Sequence, residues 1–208
     1  MITTTKQTEK SARRDPLELL ESLPPIFTTA DALAAGIPNT TFHRLVRDGK
    51  VQNIAWGMYM SAIERSIDLE LAEIVSRRPW ATICLSSALV EHGLSDAIPA
   101  KLDLAIPRGQ WKPEIGPTIK WHSFDPKFFE FERQFRPIDG SNLLIGIYSA
   151  PRTLADLARH PKFDKTELVE GIRRWLRIRE NHPSKLIEIA KKMPGSIERI
   201  QEILEIIL

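Results

Sequence analysis

The chain has 208 residues, enough for one large domain or two small ones, and its 42% hydrophobic and 27% charged residues are those of a soluble globular protein. A net charge of +2 argues against a globally basic nucleic-acid binder, so any basic footprint must be local. Cys84 is the single cysteine, which excludes an internal disulfide and a cysteine-based zinc site.

Residues 1–14 are polar, with Lys6, Lys10, Arg13 and Arg14, and read as a flexible tail or as a basic arm that follows a groove. They lack the apolar core of a signal peptide. No run of about 18 apolar residues follows anywhere, so no membrane partner is expected, and a cytoplasmic location is. Residues 15–23 predict a first helix, ended by Pro24-Pro25.

Residues 27–60 carry the most informative pattern. Thr28 is a good N-cap, with Asp31 three residues on, and 30–35 are rich in helix formers. Gly36 suits a helix stop, Ile37 can pack under the turn, and Asn39 is a candidate cap for a second helix over 40–48. Phe42, Leu45 and Val46 share a buried stripe on that helix. At about 100° per residue the opposite face carries Thr40, Arg44 and Arg47, with His43 beside them. Gly49 stops the helix, and Gly57 turns an extended stretch back on itself as a wing. This order of helix, turn, helix and hairpin predicts a winged helix-turn-helix over 15–62. The candidate DNA contacts are Thr40, Thr41, His43, Arg44 and Arg47 on the helix, and Lys50, Asn53 and Trp56 on the wing. Residues 1–60 are nearly neutral, so a solvated basic helix face is the competing reading.

A second domain is expected over 66–208, of mixed α/β character and ending in helices, which makes the chain α+β as a whole. Residues 66–77 read as a helix, 81–85 as a short strand holding a buried Cys84, and Ser86 or Ser87 as the cap of a helix closed by Gly93. Strands are expected over 102–106, 118–121, 131–136 and 143–149. Helices are expected over 151–159, 166–179, 183–193 and 196–208.

The motifs Gly36-Ile37, Leu45-Val46-Arg47-Asp48-Gly49 and Gly57-Met58-Tyr59 resemble those of the AbiEi-type antitoxins of bacterial abortive-infection systems. Ser87-Ala88-Leu89 with His92-Gly93-Leu94, and Ser149-Ala150-Pro151-Arg152-Thr153-Leu154-Ala155-Asp156, extend the resemblance along the chain in the same order. It implies an autoregulatory repressor that binds inverted repeats in double-stranded operator DNA, fused to a C-terminal antitoxin domain. It also implies a cognate nucleotidyltransferase-like toxin, countered functionally or by physical contact. The alternative is an interaction module that neutralises the toxin by direct binding, without DNA. One departure stands at Trp56, where many relatives carry a basic or proline residue. A tryptophan there offers stacking or packing rather than phosphate neutralisation.

No catalytic constellation, metal site or cofactor is expected. His92, His122, His160 and His182 lack metal-ligand spacing, and His92 reads as a capping or packing residue. Asp103, Glu114 and Lys120 have the wrong spacing for a nuclease of the restriction-endonuclease type. Asp139-Gly140-Ser141 has no Asp-x-Asp behind it, and neither a phosphate-binding loop nor a Gly-x-Ser-x-Gly elbow occurs. Arg152 and Asp156 stand at i and i+4, which by spacing alone reads as an exposed local ion pair of small worth, whereas the resemblance implies that they fix the helix to the sheet. Arg173, Arg174, Arg177 and Arg179 form a basic cluster, either a solvated face or a footprint for DNA, toxin or tRNA. Ile197, Ile200, Ile203, Leu204 and Ile207 form an apolar stripe suited to the core, with a dimer or toxin interface as the alternative.

Overall fold

The computed structural model describes residues 15–62, 68–113, 118–160 and 163–208. The expected tail 1–14, the first two residues of the helix expected over 66–77, and Glu114 lie outside the described residues. The chain divides into two compact units. The first takes in the residues up to Ile67 and Gly140–Asn142, the second Asp68–Asp139 and Leu143–Leu208.

The first unit contains α1 (Pro16–Glu21), β1 (Ile26–Thr28), α2 (Thr29–Ala34), α3 (Asn39–Arg47), β2 (Val51–Ala55) and β3 (Met58–Ser61). Asp15 caps α1, accepting the Leu17 N–H at 3.0 Å. The capping box at α2 forms as expected. Thr28 Oγ1 accepts the Asp31 N–H, and Asp31 accepts both the Thr28 N–H and its hydroxyl. Those bonds hold the Asp31 carboxyl below the usual carboxylate range.

Two expectations need correction here. Asn39 is not the cap of α3; Pro38 takes that position and Asn39 is the first helical residue, so the helix start has no side-chain cap. A strand also precedes α2. Ile26, Phe27 and Thr28 pair antiparallel with Met60, Tyr59 and Met58, which turns the hairpin into a three-stranded sheet of order β1-β3-β2. The core of the unit gathers Leu20, Phe27, Ala32, Ile37, Phe42, Leu45 and Val51. Phe42 meets the rings of Phe27 at 6.4 Å and Tyr59 at 4.8 Å, both edge to face, so it ties α3 to the sheet.

The second unit begins with α4 (Leu69–Arg77), β4 (Thr82–Ile83), α5 (Leu85–Glu91), β5 (Leu102–Pro107), β6 (Ile119–Phe124) and α6 (Pro126–Phe129). It continues with β7 (Arg133–Pro137), β8 (Leu144–Tyr148), α7 (Ala150–Ala158), α8 (Lys165–Arg177), α9 (Pro183–Lys192) and α10 (Ile197–Ile207). The five strands form one mixed sheet of order β6-β5-β4-β8-β7. The pairs β5–β6 and β4–β8 are parallel, while β4–β5 and β7–β8 are antiparallel. The chain is therefore α+β, with a winged helix-turn-helix followed by a mixed unit that ends in helices.

Leu71, Ile74 and Val75 of α4 pack with Ile83, Leu104, Ile119, Ile145 and Ile147 from the strands. Ala105 and Tyr148 belong instead to the larger cluster with Leu154, Leu168, Ile172, Trp175, Leu186, Ile200, Ile203 and Leu204. The apolar stripe of α10 thus closes the unit's own core. Cys84 is fully buried in the same cluster. The strand expected over 81–85 shortens to two residues, and α6 was not anticipated. Neither Ser86 nor Ser87 caps α5: the cap position is Cys84, and the Ser87 hydroxyl instead accepts the Asp103 N–H at 2.8 Å.

Gly146 sits where β8 must leave room. A Cβ there would lie 2.7 Å from Thr82 Oγ1 and 2.8 Å from Arg133 Nε. The empty space lets the Arg133 guanidinium donate to Thr82 Oγ1 at 2.7 Å across the sheet. Gly146→Ala is expected to destabilise the fold by about 1–3 kcal/mol, read as a lower denaturant midpoint.

Candidate nucleic-acid interface

The candidate helix α3 is fixed from beneath and open above. Phe42 and Leu45 are buried and Val46 packs beside them, while Thr40, His43, Arg44 and Arg47 are exposed. These four fall at i, i+3, i+4 and i+7, so one outward face carries them all. Among the described residues, the Arg44 and Arg47 guanidinium groups have neither an ion pair nor a hydrogen bond. His43 rests its ring edge to face on Phe42 at 5.8 Å. Thr41 is half-buried, so it stands at the margin of the face rather than on it.

Gly49 adopts a φ of 69°, which lets the Lys50 N–H reach back to the Leu45 carbonyl at 2.9 Å and stops the helix. Lys50 is exposed at this corner. The wing then runs through β2 and β3, with Gln52 opposite Met60, Asn53 opposite Tyr59 and a register shift before Ala55. Asn53 is exposed, but its Nδ2 donates to the Met58 carbonyl at 3.3 Å, which commits that group to the wing itself. Gly57 supplies the positive φ of 69° for the turn, and Trp56 beside it is 96% exposed. Trp56 contributes nothing to the core beneath it.

This is a helix-turn-helix whose second helix presents two unpaired arginines, next to a hairpin tipped by an exposed indole. Residues 14–62 match the family model described as transcriptional regulator, AbiEi antitoxin. The segment belongs to that family. The AbiEi match covers less than half of the chain, and within it lie α1 to α3 and the wing. The crystal structure of the RV2827C protein from Mycobacterium tuberculosis is similar at 17% identity and a TM-score of 0.57, covering 91% of this chain and 74% of that one. At this identity the likeness speaks for the fold alone. No curated protein matches the chain.

The second basic cluster is smaller than its sequence suggests. The helix ends at Arg177, so Arg179 lies beyond it. Arg174 is held by Asp96 at 2.6 Å and Glu170 at 3.4 Å. Arg173 and Arg177 remain exposed, one helical turn apart, without an ion pair among the described residues.

The other polar side chains singled out from sequence are tied into the fold. His92 ends α5 and its Nε2 donates to the Tyr148 carbonyl at 2.7 Å. Asp103 is buried beside His122 Nε2 at 2.7 Å, with Lys120 Nζ at 3.8 Å. Arg152 and Asp156 are both buried, so theirs is not the exposed pair that spacing alone implies. Arg152 Nε donates to Asp156 at 2.8 Å, and its Nη1 donates to the carbonyls of Phe128 at 2.9 Å and Phe131 at 2.8 Å. The guanidinium also lies 4.5 Å from the centre of the Tyr148 ring. Burial pushes the Asp156 carboxyl up, against the pull of Arg152. Among the described residues no group of three or more His, Cys, Asp and Glu side chains is placed to hold a metal ion. No helix among them is long and apolar enough to cross a membrane.

Proposed function

We propose that the chain is an autoregulatory antitoxin. Residues 15–62 bind operator DNA, and residues 66–208 serve in countering a nucleotidyltransferase-like toxin. The observation that carries the DNA reading is the exposed row of Thr40, His43, Arg44 and Arg47 on the second helix of an AbiEi-type segment. In this reading α3 enters the major groove. Arg44 and Arg47 bind base edges or phosphates, with Thr40 and His43 in support. The first turn of α3, free of a side-chain cap, presents backbone N–H groups suited to a DNA phosphate. Lys50 lies at the foot of the wing and reaches the backbone. Two copies on an inverted repeat would place their half-sites about 34 Å apart on one DNA face.

The test is retardation of the chain's own upstream DNA in a gel, with footprinting to locate the half-sites. The toxin arm is tested by co-expression with the neighbouring gene product: growth should be rescued by the full chain. Growth arrest that the full chain leaves unrelieved would remove the antitoxin reading. Trp56→Ala separates the wing from the fold. Stability should change by no more than about 0.5 kcal/mol, because the side chain is almost wholly exposed, while affinity for the upstream DNA falls severalfold. Unchanged affinity would place the wing tip away from DNA.

A further inference from the structure

A cleft of about 300 Å³ opens in the second unit. It lies at the carboxyl ends of the parallel strands β5 and β6: Arg108 follows the last residue of β5 and Asp125 the last residue of β6. Crevices outside the carboxyl ends of parallel strands are where open α/β sheets place ligands. The volume is at the lower end of small-molecule sites, roughly 300–1,000 Å³.

The charges in the cleft are unevenly committed. Arg152 and Asp156 engage each other at 2.8 Å. The Asp125 carboxylate caps α6 by accepting the Lys127 N–H at 2.9 Å. Arg159 is 39% exposed and reaches Asp156 only at 3.9 Å. Arg108 is exposed, and its side chain has no ion pair or hydrogen bond among the described residues. His160 also lines the cleft, and its buried Nδ1 has no hydrogen-bond partner among the described residues. His122, another lining residue, is held by Asp103 at 2.7 Å. Phe128 adds an apolar surface. The cleft therefore holds two guanidinium groups with unused donors, those of Arg108 and Arg159, while Arg152 and Asp156 are engaged with each other.

We propose that this cleft binds a small phosphate-bearing molecule, its phosphate held by Arg108 and Arg159 and its apolar part lying against Phe128. Guanidinium forks match phosphate oxygens in pairs, and the lining arginines, Arg108, Arg152 and Arg159, outnumber the lining carboxylates, Asp125 and Asp156. This site is lined by residues of the second unit alone, and the proposal does not depend on the DNA reading.

The proposal is tested by calorimetric titration of the full chain with inorganic phosphate, adenosine monophosphate and adenosine. Saturable binding is expected for the phosphate and the monophosphate and not for the nucleoside. Arg108→Gln with Arg159→Gln should weaken both by tenfold or more while the melting temperature stays as in the unmodified chain, since both side chains are exposed. Absence of saturable phosphate binding, or undiminished binding by the double variant, overturns the proposal. So does a double variant whose affinity for the upstream DNA falls as far as its affinity for phosphate, which would assign the two arginines to the DNA backbone.

Discussion

Replacing Arg44 and Arg47 together with alanine should weaken binding to the chain's own upstream DNA by about 2–6 kcal/mol, roughly thirtyfold at the low end. Each arginine that meets a guanine edge or a phosphate contributes about 1–3 kcal/mol, and the two stand one turn apart on the same face of α3. Neither has a protein partner among the described residues, so their removal leaves no buried group unsatisfied and the fold should keep its stability. The two kinds of contact are separable. Loss of a phosphate contact flattens the dependence of log affinity on log salt by about one unit per charge and acts on all sequences alike. Loss of a base contact relaxes discrimination at one position of the half-site. A double variant that binds as tightly as the unmodified chain would remove α3 from the interface.

The largest effect on stability is expected at Arg152. Its side chain is 1% exposed and serves three acceptors, the Asp156 carboxylate and the carbonyls of Phe128 and Phe131. Arg152→Ala strands all three and should cost about 3–5 kcal/mol in denaturant unfolding. The loss should depend on pH. Without the guanidinium, burial is opposed only by the more distant Arg159, and burial, the larger influence, raises the folded pKa of Asp156 above the unfolded value. A group raised in this way contributes stability at low pH that is lost as pH rises through the folded value. The deficit of the variant should therefore be smaller at about pH 5 than at about pH 8. Asp156→Ala lacks this relief, because a guanidinium does not give up its proton. A cost below about 1 kcal/mol for Arg152→Ala would contradict the role given to this network.

How far the fold was legible followed the range of the interactions that set it. The capping box of Thr28 and Asp31, the stripe of Phe42 and Leu45 and the stops at Gly49 and Gly57 depend on neighbours a few residues away, and they stand as read. The stripe of Ile200, Ile203 and Leu204 is buried for the same reason of periodicity. β1 escaped notice because three residues carry no alternation, and because its partner β3 lies about thirty positions on. The four-residue α6 carries little periodic signal either. The order of the five-stranded sheet is set by pairings between distant segments and is not written in any local pattern.

The candidate site divides in the same way. The outward face of α3 follows from helical geometry, whereas Thr41 lost its place once the helix packed. The basic cluster on α8 shrank because Asp96, 78 positions away, holds Arg174. The Arg108 cleft had no sequence signal at all, since its residues meet only when β5, β6 and α7 are assembled.

The most direct test of the central claim is gel retardation of the full, unmodified chain on its own upstream DNA, beside unrelated DNA of equal length at physiological salt. The account predicts a specific complex, tighter on the upstream DNA by about a thousandfold or more. Equal retardation of both DNAs, or none of either, would contradict it.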